Sequence, residues 1–372
     1  MTSTPHIDVV CLGESMVTFL PSRPGRLADV PSFERAIGGA ESNVACTLAR
    51  AGHPTRWVSR VGADGFGDHL VRTIAAAGVD TSAVRQDPHR PTGVYFRTDG
   101  ERATTSPGDG DGGGDGGAGG GSAEGASAEA SRSVAEVAYY RAGSAASAMS
   151  ADSVDLDAVL AGRVLHLTGI TPALSDDCLG LVRTLTARHP ERTRPLVSFD
   201  VNYRVALWRE PADPAVLLDL ARGCDLVFVG EDEAEAAWGV TGGPEAIRAA
   251  LPEPDTLVVK QGAAGACAFV RGADGAADEA AYAPGLRVEV VAHVGAGDAF
   301  AAGFLSASLR ALPLRQRLRH GHLLAAAALT APGDLAEPPA RAHADRLAAL
   351  GSEEWGTLRL GPGWTTEKAT AP

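Results

Sequence analysis

The sequence predicts an α/β chain, a doubly wound, mostly parallel sheet flanked by helices, with a small β-sheet lid. Three observations carry this. Runs of strand length are apolar on both faces, as strands covered on both sides must be. Helical patterns alternate with them along the chain. Two stretches then break the rhythm with shorter alternating segments. The apolar runs fall at residues 8–12, 57–61, 164–167, 196–199, 226–229 and 256–260. Helices are expected at 43–50 and 68–77, closed by Gly52 and Gly78, and at 175–189, 231–238 and 244–251. Two more, 296–309 and 314–329, are Ala-rich and nearly apolar all round, so they belong against the sheet.

The interruptions lie at about 14–37 and 91–141, where segments such as Thr92-Gly93-Val94-Tyr95-Phe96-Arg97 and 137–141 read as antiparallel strands of the lid. Inside the second sits a Gly-rich insertion, 103–133, in which residues 107–121 hold ten glycines in fifteen positions. Such a composition cannot offset its ordering entropy, so a flexible loop is expected. Residues 1–345 are expected to form one domain, and 361–372 a disordered tail.

Charge and composition narrow the function. The 372 residues carry a formal net charge of −13, which argues against nucleic acid or an anionic membrane as a partner. An anionic ligand needs a local positive site, and only two lysines, Lys260 and Lys368, are present beside the arginines. Five scattered cysteines without C-x-x-C spacing, and no signal-like or membrane-length apolar run, point to a reducing, cytoplasmic setting. Neither lysine follows a glycine, so a Walker P-loop is absent. There is no H-E-x-x-H zinc motif and no G-x-S-x-G elbow.

Two glycine turns hold the chemistry. Gly295-Ala296-Gly297-Asp298 opens a long apolar helix, and backbone N–H groups unobstructed by side chains at a helix start form an anion site. Asp298 in that first turn would face the anion as a base, although a helix cap reads the same way in isolation. Gly38-Gly39-Ala40-Glu41-Ser42-Asn43 opens another helix and lets a polyol approach backbone N–H groups and the Asn43 amide, as a plain turn with a cap also would.

Taken together, in this order and separation, the two segments resemble the signatures of the ribokinase-like (PfkB-type) carbohydrate kinases, over about residues 7–340. The resemblance implies ATP and Mg2+ as cofactors and phosphoryl transfer to a sugar hydroxyl. It implies Asp298 as the general base and Gly295, Ala296 and Gly297 as donors to the charge growing on the transferred group. Glu233 occupies the position that indirectly organises Mg2+ and phosphate, with Gly230 where the family has asparagine. The segment Lys260-Gln261-Gly262-Ala263-Ala264-Gly265 resembles the nucleotide-holding strand and turn, which implies Lys260, Gly262 and Gly265 at ATP, while 325–328 resembles the adenine wall. Ala292 stands where relatives carry an acid linked to a monovalent cation, which speaks against potassium activation. The lid edge pairs subunits in relatives and implies a homodimer here.

Tyr139-Tyr140-Arg141 and Asp200-Val201-Asn202-Tyr203-Arg204 resemble the subgroup acting on 2-keto-3-deoxygluconate. Two arginines near the sugar suit an anionic acceptor, since guanidinium grips a carboxylate bidentately. Arg141 and Arg204 are therefore expected at the carboxylate, Tyr95 and Tyr139 at the sugar wall with Gly38, Gly39, Asn43 and Asn202, and Tyr140 on the opposite face in the lid core. A fructokinase or another sugar-acid kinase of the same fold is the near alternative. A sugar-acid sensor without turnover is the alternative from another class.

Overall fold

A computed structural model describes residues 6–98, 136–188, 194–208 and 213–366. The strands in chain order are β1 (Val9–Leu12), β2 (Met16–Pro21), β3 (Phe33–Gly38), β4 (Thr55–Val58), β5 (Arg60–Gly62), β6 (Arg85–Asp87), β7 (Val94–Arg97) and β8 (Val137–Tyr140). They continue as β9 (Val164–Thr168), β10 (Leu196–Asp200), β11 (Leu226–Gly230), β12 (Thr256–Lys260), β13 (Gly265–Val270), β14 (Glu279–Pro284), β15 (Arg287–Val288) and β16 (Arg359–Leu360). The helices are α1 (Ala40–Arg50), α2 (Gly65–Ala76), α3 (Leu156–Val159), α4 (Asp176–Thr186), α5 (Ala215–Arg222) and α6 (Glu231–Trp238). After them come α7 (Pro244–Ala250), α8 (Ala296–Leu309), α9 (Leu314–Leu329), α10 (Arg341–Ala348) and α11 (Ser352–Thr357).

The main sheet runs β14-β13-β12-β11-β10-β9-β1-β4, parallel from β4 through β12 and antiparallel over the last two pairings. Each strand splits its side chains between two cores, because successive residues point to opposite faces. Val9 and Cys11 of β1 enter the core shared with α1, α8 and α9, whereas Val10 and Leu12 enter the core under α4 and α5. Likewise Phe228 of β11 faces Phe304 of α8 edge-on at 5.5 Å, while Val227 and Val229 face the other way. Burial on both sides explains why these strands read as continuous apolar runs.

The second sheet, β3-β2-β7-β8, is built from the two interrupting stretches. Its outer pairs are antiparallel as expected, but β2 and β7 are parallel. Three other expectations are corrected. Residues 57–61 do not form one strand: β4 ends at Val58 and pairs with β1, and the chain then joins a separate two-stranded sheet through β5 and β6. The packed body does not stop at 345, since Trp355 of α11 is 1 % exposed and β16 pairs with β15. Nor is the start of the expected tail frayed, because Trp364 donates its indole N–H to Thr330 Oγ1 at 3.1 Å. The Gly-rich insertion 103–133 and residues 367–372 lie outside the described residues.

Candidate active site

Both glycine turns open helices that start at the same place. Gly39 precedes α1 and Gly295 precedes α8, and the two helices pack side by side. Gly295 has φ 69°, and a Cβ there would lie 2.6 Å from the Asp334 carbonyl, so only glycine fits. The turn sets Asp298 in the first turn of α8, buried at 8 % exposure, where its Oδ2 accepts a 2.9 Å hydrogen bond from Asn43 Nδ2. That bond joins residues 255 positions apart and brings the two motifs into contact. The Asn43 Oδ1 is buried without a protein partner.

Consecutive parallel strands deliver the second group of charges at their C-terminal ends, the edge at which open α/β sheets bind ligands. Lys260 closes β12 and places Nζ 2.9 Å from both carboxylate oxygens of Asp200, which closes β10. Glu233, buried in the first turn of α6, lies 3.9 Å from the same Nζ and accepts from the Gly230 N–H at 2.6 Å. Burial alone would depress the ammonium pKa, but Asp200 and Glu233, with Asp298 beyond them, hold it well above the ordinary lysine range. A Cβ on Gly297 would stand 3.9 Å from Nζ, so the ammonium faces the opening turn of α8. Gly262 has φ 57°, and a Cβ there would point into open space. Gly265 opens β13 after that turn and is buried in the β13–β14 pairing, where a Cβ would meet the Ala283 carbonyl at 2.3 Å. Ala326, Ala327 and Ala328 are likewise core residues of α9.

The sugar-side residues group around the second sheet. Tyr95 and Tyr139 share a face with ring centroids 5.4 Å apart. The Tyr95 hydroxyl is not open to solvent: it donates to Asp334 Oδ2 at 3.2 Å, and burial with that carboxylate beside it raises its pKa. Tyr140 is corrected from lid core to exposed surface, at 66 %, because β8 is an edge strand. Arg141 donates Nη2 to the buried carboxylate of Glu14, which also accepts from Ser144 Oγ at 2.6 Å. Its Nε is buried without a partner, and its guanidinium stands 5.8 Å over the Tyr139 ring. Arg141 is thus held at one end rather than wholly available. Asn202 adopts φ 41°, tolerated by asparagine, is buried, and leaves Oδ1 unpartnered. Arg204 is half-buried at the head of the following turn, its carbonyl accepting from the Leu207 N–H at 2.8 Å.

Four functional-looking residues escaped sequence reasoning. Asp334 binds Arg97 at 2.8 Å as well as Tyr95, and its carbonyl packs on Gly295. Arg97 alternates with Tyr95 on the inner face of β7, the one signal that pointed to it. Glu14 has no motif at all. Glu41 lies within the first glycine motif but received no role: it is fully buried, accepts at Oε1 from Thr168 and Thr171 at 2.7 and 2.8 Å, and leaves Oε2 unpartnered. Burial pushes its carboxyl pKa up.

An aspartate at a glycine-opened helix start, an amide hydrogen-bonded to it and a lysine facing the same turn stand together at the ligand-binding edge of the sheet, a site suited to an anion. Comparison with known proteins identifies it further. The pfkB family carbohydrate kinase pattern matches residues 6–108 and 124–341. The chain belongs to this family. It is 32 % identical over 351 residues to a 2-dehydro-3-deoxygluconokinase of Bacillus subtilis (strain 168), covering 92 % of this chain and 95 % of that protein. It is 32 % identical over 344 residues to a 2-dehydro-3-deoxygluconokinase of Thermoproteus tenax, covering 92 % and 94 %. The crystal structure of a PfkB protein from Polaromonas sp. JS666 superposes with a TM-score of 0.70 at 32 % identity, covering 91 % and 99 %.

Proposed function

We propose that this protein is an ATP-dependent kinase that transfers the γ-phosphoryl group to the terminal hydroxyl of 2-keto-3-deoxygluconate (2-dehydro-3-deoxygluconate). The reading rests above all on the Asn43–Asp298 hydrogen bond, which ties the base candidate to the sugar-side helix. Asp298 takes the proton from the attacking hydroxyl, and Asn43 holds its carboxylate in place. The backbone N–H groups of Gly295, Ala296 and Gly297, with Lys260 facing them, receive the charge that develops on the transferred group. Asp200 holds Lys260 in position and neutralises it until an anion arrives.

Glu233, 3.9 Å from Lys260 Nζ, is the acidic group that would organise Mg2+. Glu233 is already committed to the Gly230 N–H, which fits an indirect role through water. When bound with ATP, Mg2+ supplies neutralisation of the phosphate oxygens.

Arg141 and Arg204 support a sugar acid over a neutral hexose. Arg141 is bonded to Glu14 through Nη2 while its buried Nε has no protein partner, so the guanidinium keeps donor capacity that suits an anionic acceptor. Coupled ADP-release assays on 2-keto-3-deoxygluconate, gluconate, fructose and ribose test the substrate. A strong preference for the keto-deoxy acid is expected, and turnover confined to neutral sugars would overturn the arginine roles. Asp298→Asn should lower kcat by about 10²- to 10⁴-fold while leaving sugar binding intact. Retained turnover would remove Asp298 as the base.

A further inference from the structure

A cavity of about 300 Å3 opens at the opposite ends of the helices that carry the active site. Asn43 and Asp298 sit in the first turns of α1 and α8, whereas Arg50 ends α1 and Arg310 caps α8. At about 1.5 Å per residue, Asp298 and Arg310 are roughly 18 Å apart along the helix, so the two sites are distinct. Arg50, Arg310 and Arg341 line the cavity with His320 and Ser306, and Leu324, Pro338 and Pro339 supply an apolar wall.

Three guanidinium groups meet here, and each is fixed at one end. Arg50 donates Nη1 to the Ala336 carbonyl at 3.0 Å, and Arg341 donates Nη2 to the Ala51 carbonyl at 3.1 Å. Arg310 Nη2 takes both oxygens of Asp345 at 2.8 and 2.7 Å. A guanidinium has five donors, so each keeps N–H groups beyond these bonds. Against them stand Asp345, which also lies 3.1 Å from the buried His320 Nε2, and Glu337, 71 % exposed at the rim and 3.9 Å from Arg50 Nε. In a chain of net charge −13 this is a local positive site, and its size suits a small metabolite.

Ser306 adds a fixed hydroxyl. It shares a 2.8 Å hydrogen bond with His53 Nε2, and His53 Nδ1 lies 3.2 Å from Asp8 Oδ2. The order Asp8-His53-Ser306 mimics a hydrolytic triad. However, Ser306 lies within α8, where neighbouring N–H groups belong to the helix ladder and none is left for an oxyanion. Binding, not hydrolysis, is what the arrangement supports.

We propose that this cavity is a second ligand site, for a small organic phosphate whose dianion is held by Arg50, Arg310 and Arg341 and whose carbon body lies on Leu324, Pro338 and Pro339. Titration calorimetry of the full chain with glycerol 3-phosphate, the nucleotide site filled by Mg·ADP, tests it. One binding event is expected, weakened at least about tenfold by Arg341→Gln and by Arg50→Gln, both outside the catalytic machinery and both expected to keep kcat. Inorganic phosphate should bind at least about tenfold more weakly, lacking a body for the apolar wall. No binding up to about 10 mM, binding undiminished in both variants, or equal affinity for inorganic phosphate would each overturn the proposal.

Discussion

At the scale of single residues, burial decides protonation. His166 on β9 is fully buried, and desolvation, followed by the nearby Lys260 charge, depresses its pKa to about 3 while its Nδ1 lies 3.1 Å from Ser198 Oγ. Unfolded, the imidazole titrates at 6.5, so the unfolded chain binds the extra proton between the two values. Stability present above pH 6.5 is therefore lost as pH falls toward 3, by about 2 kcal/mol already at pH 5. Urea titrations of wild type and His166→Gln from pH 7 to 5 should show the variant losing less, and parallel losses would contradict a neutral buried histidine. Glu41 works in the opposite direction. Its folded pKa is raised above 4.5, so its contribution is fullest below that value and declines as pH rises through the folded pKa. Glu41→Gln, which keeps an acceptor for Thr168 and Thr171, should gain Tm relative to wild type between pH 4.5 and neutrality. A constant difference across that range would show the carboxyl already neutral or already compensated.

At the scale of elements, glycines let backbone and side chains meet where helices begin. A Cβ on Gly38 would stand 2.2 Å from the Tyr95 hydroxyl and 2.6 Å from Asp334 Oδ2. Gly38→Ala should cost about 1–3 kcal/mol and lower kcat/KM for the sugar, since the end of β3 must shift. Adding Tyr95→Phe should restore part of the stability, and no recovery would place the strain elsewhere. These turns were legible in sequence because a helix start needs only local residues to announce it. The ends of α8 and α9 fell where composition put them, at Ala296, Leu309, Leu314 and Leu329. The break after Val58 was not legible, because apolar residues continue across it and only pairing partners distinguish β4 from β5.

At the scale of the molecule, a buried ion pair links the second sheet to the body. Arg97 on β7 and Asp334 beyond α9 are 7 % and 5 % exposed, and Asp334 also backs Gly295. Breaking such a pair from one side leaves a buried charge, at about 3–5 kcal/mol. Arg97→Met and Asp334→Leu should each destabilise by that order, and the double variant by clearly less than their sum. Additive losses in chemical denaturation would show that the two charges do not depend on each other.

What the sequence by itself determined is what short range can encode. Apolar runs set a covered parallel sheet, 3.6-residue periodicity set the helices, and two glycine turns marked Asp298 and Asn43. The tertiary structure alone decided which charges neutralise which. Glu14 with Arg141, Asp200 with Lys260, and Asp334 with Arg97 are separated by 127, 60 and 237 positions, and no local pattern carries such a distance. A charge is free or committed only once the fold has removed it from water and chosen its neighbour.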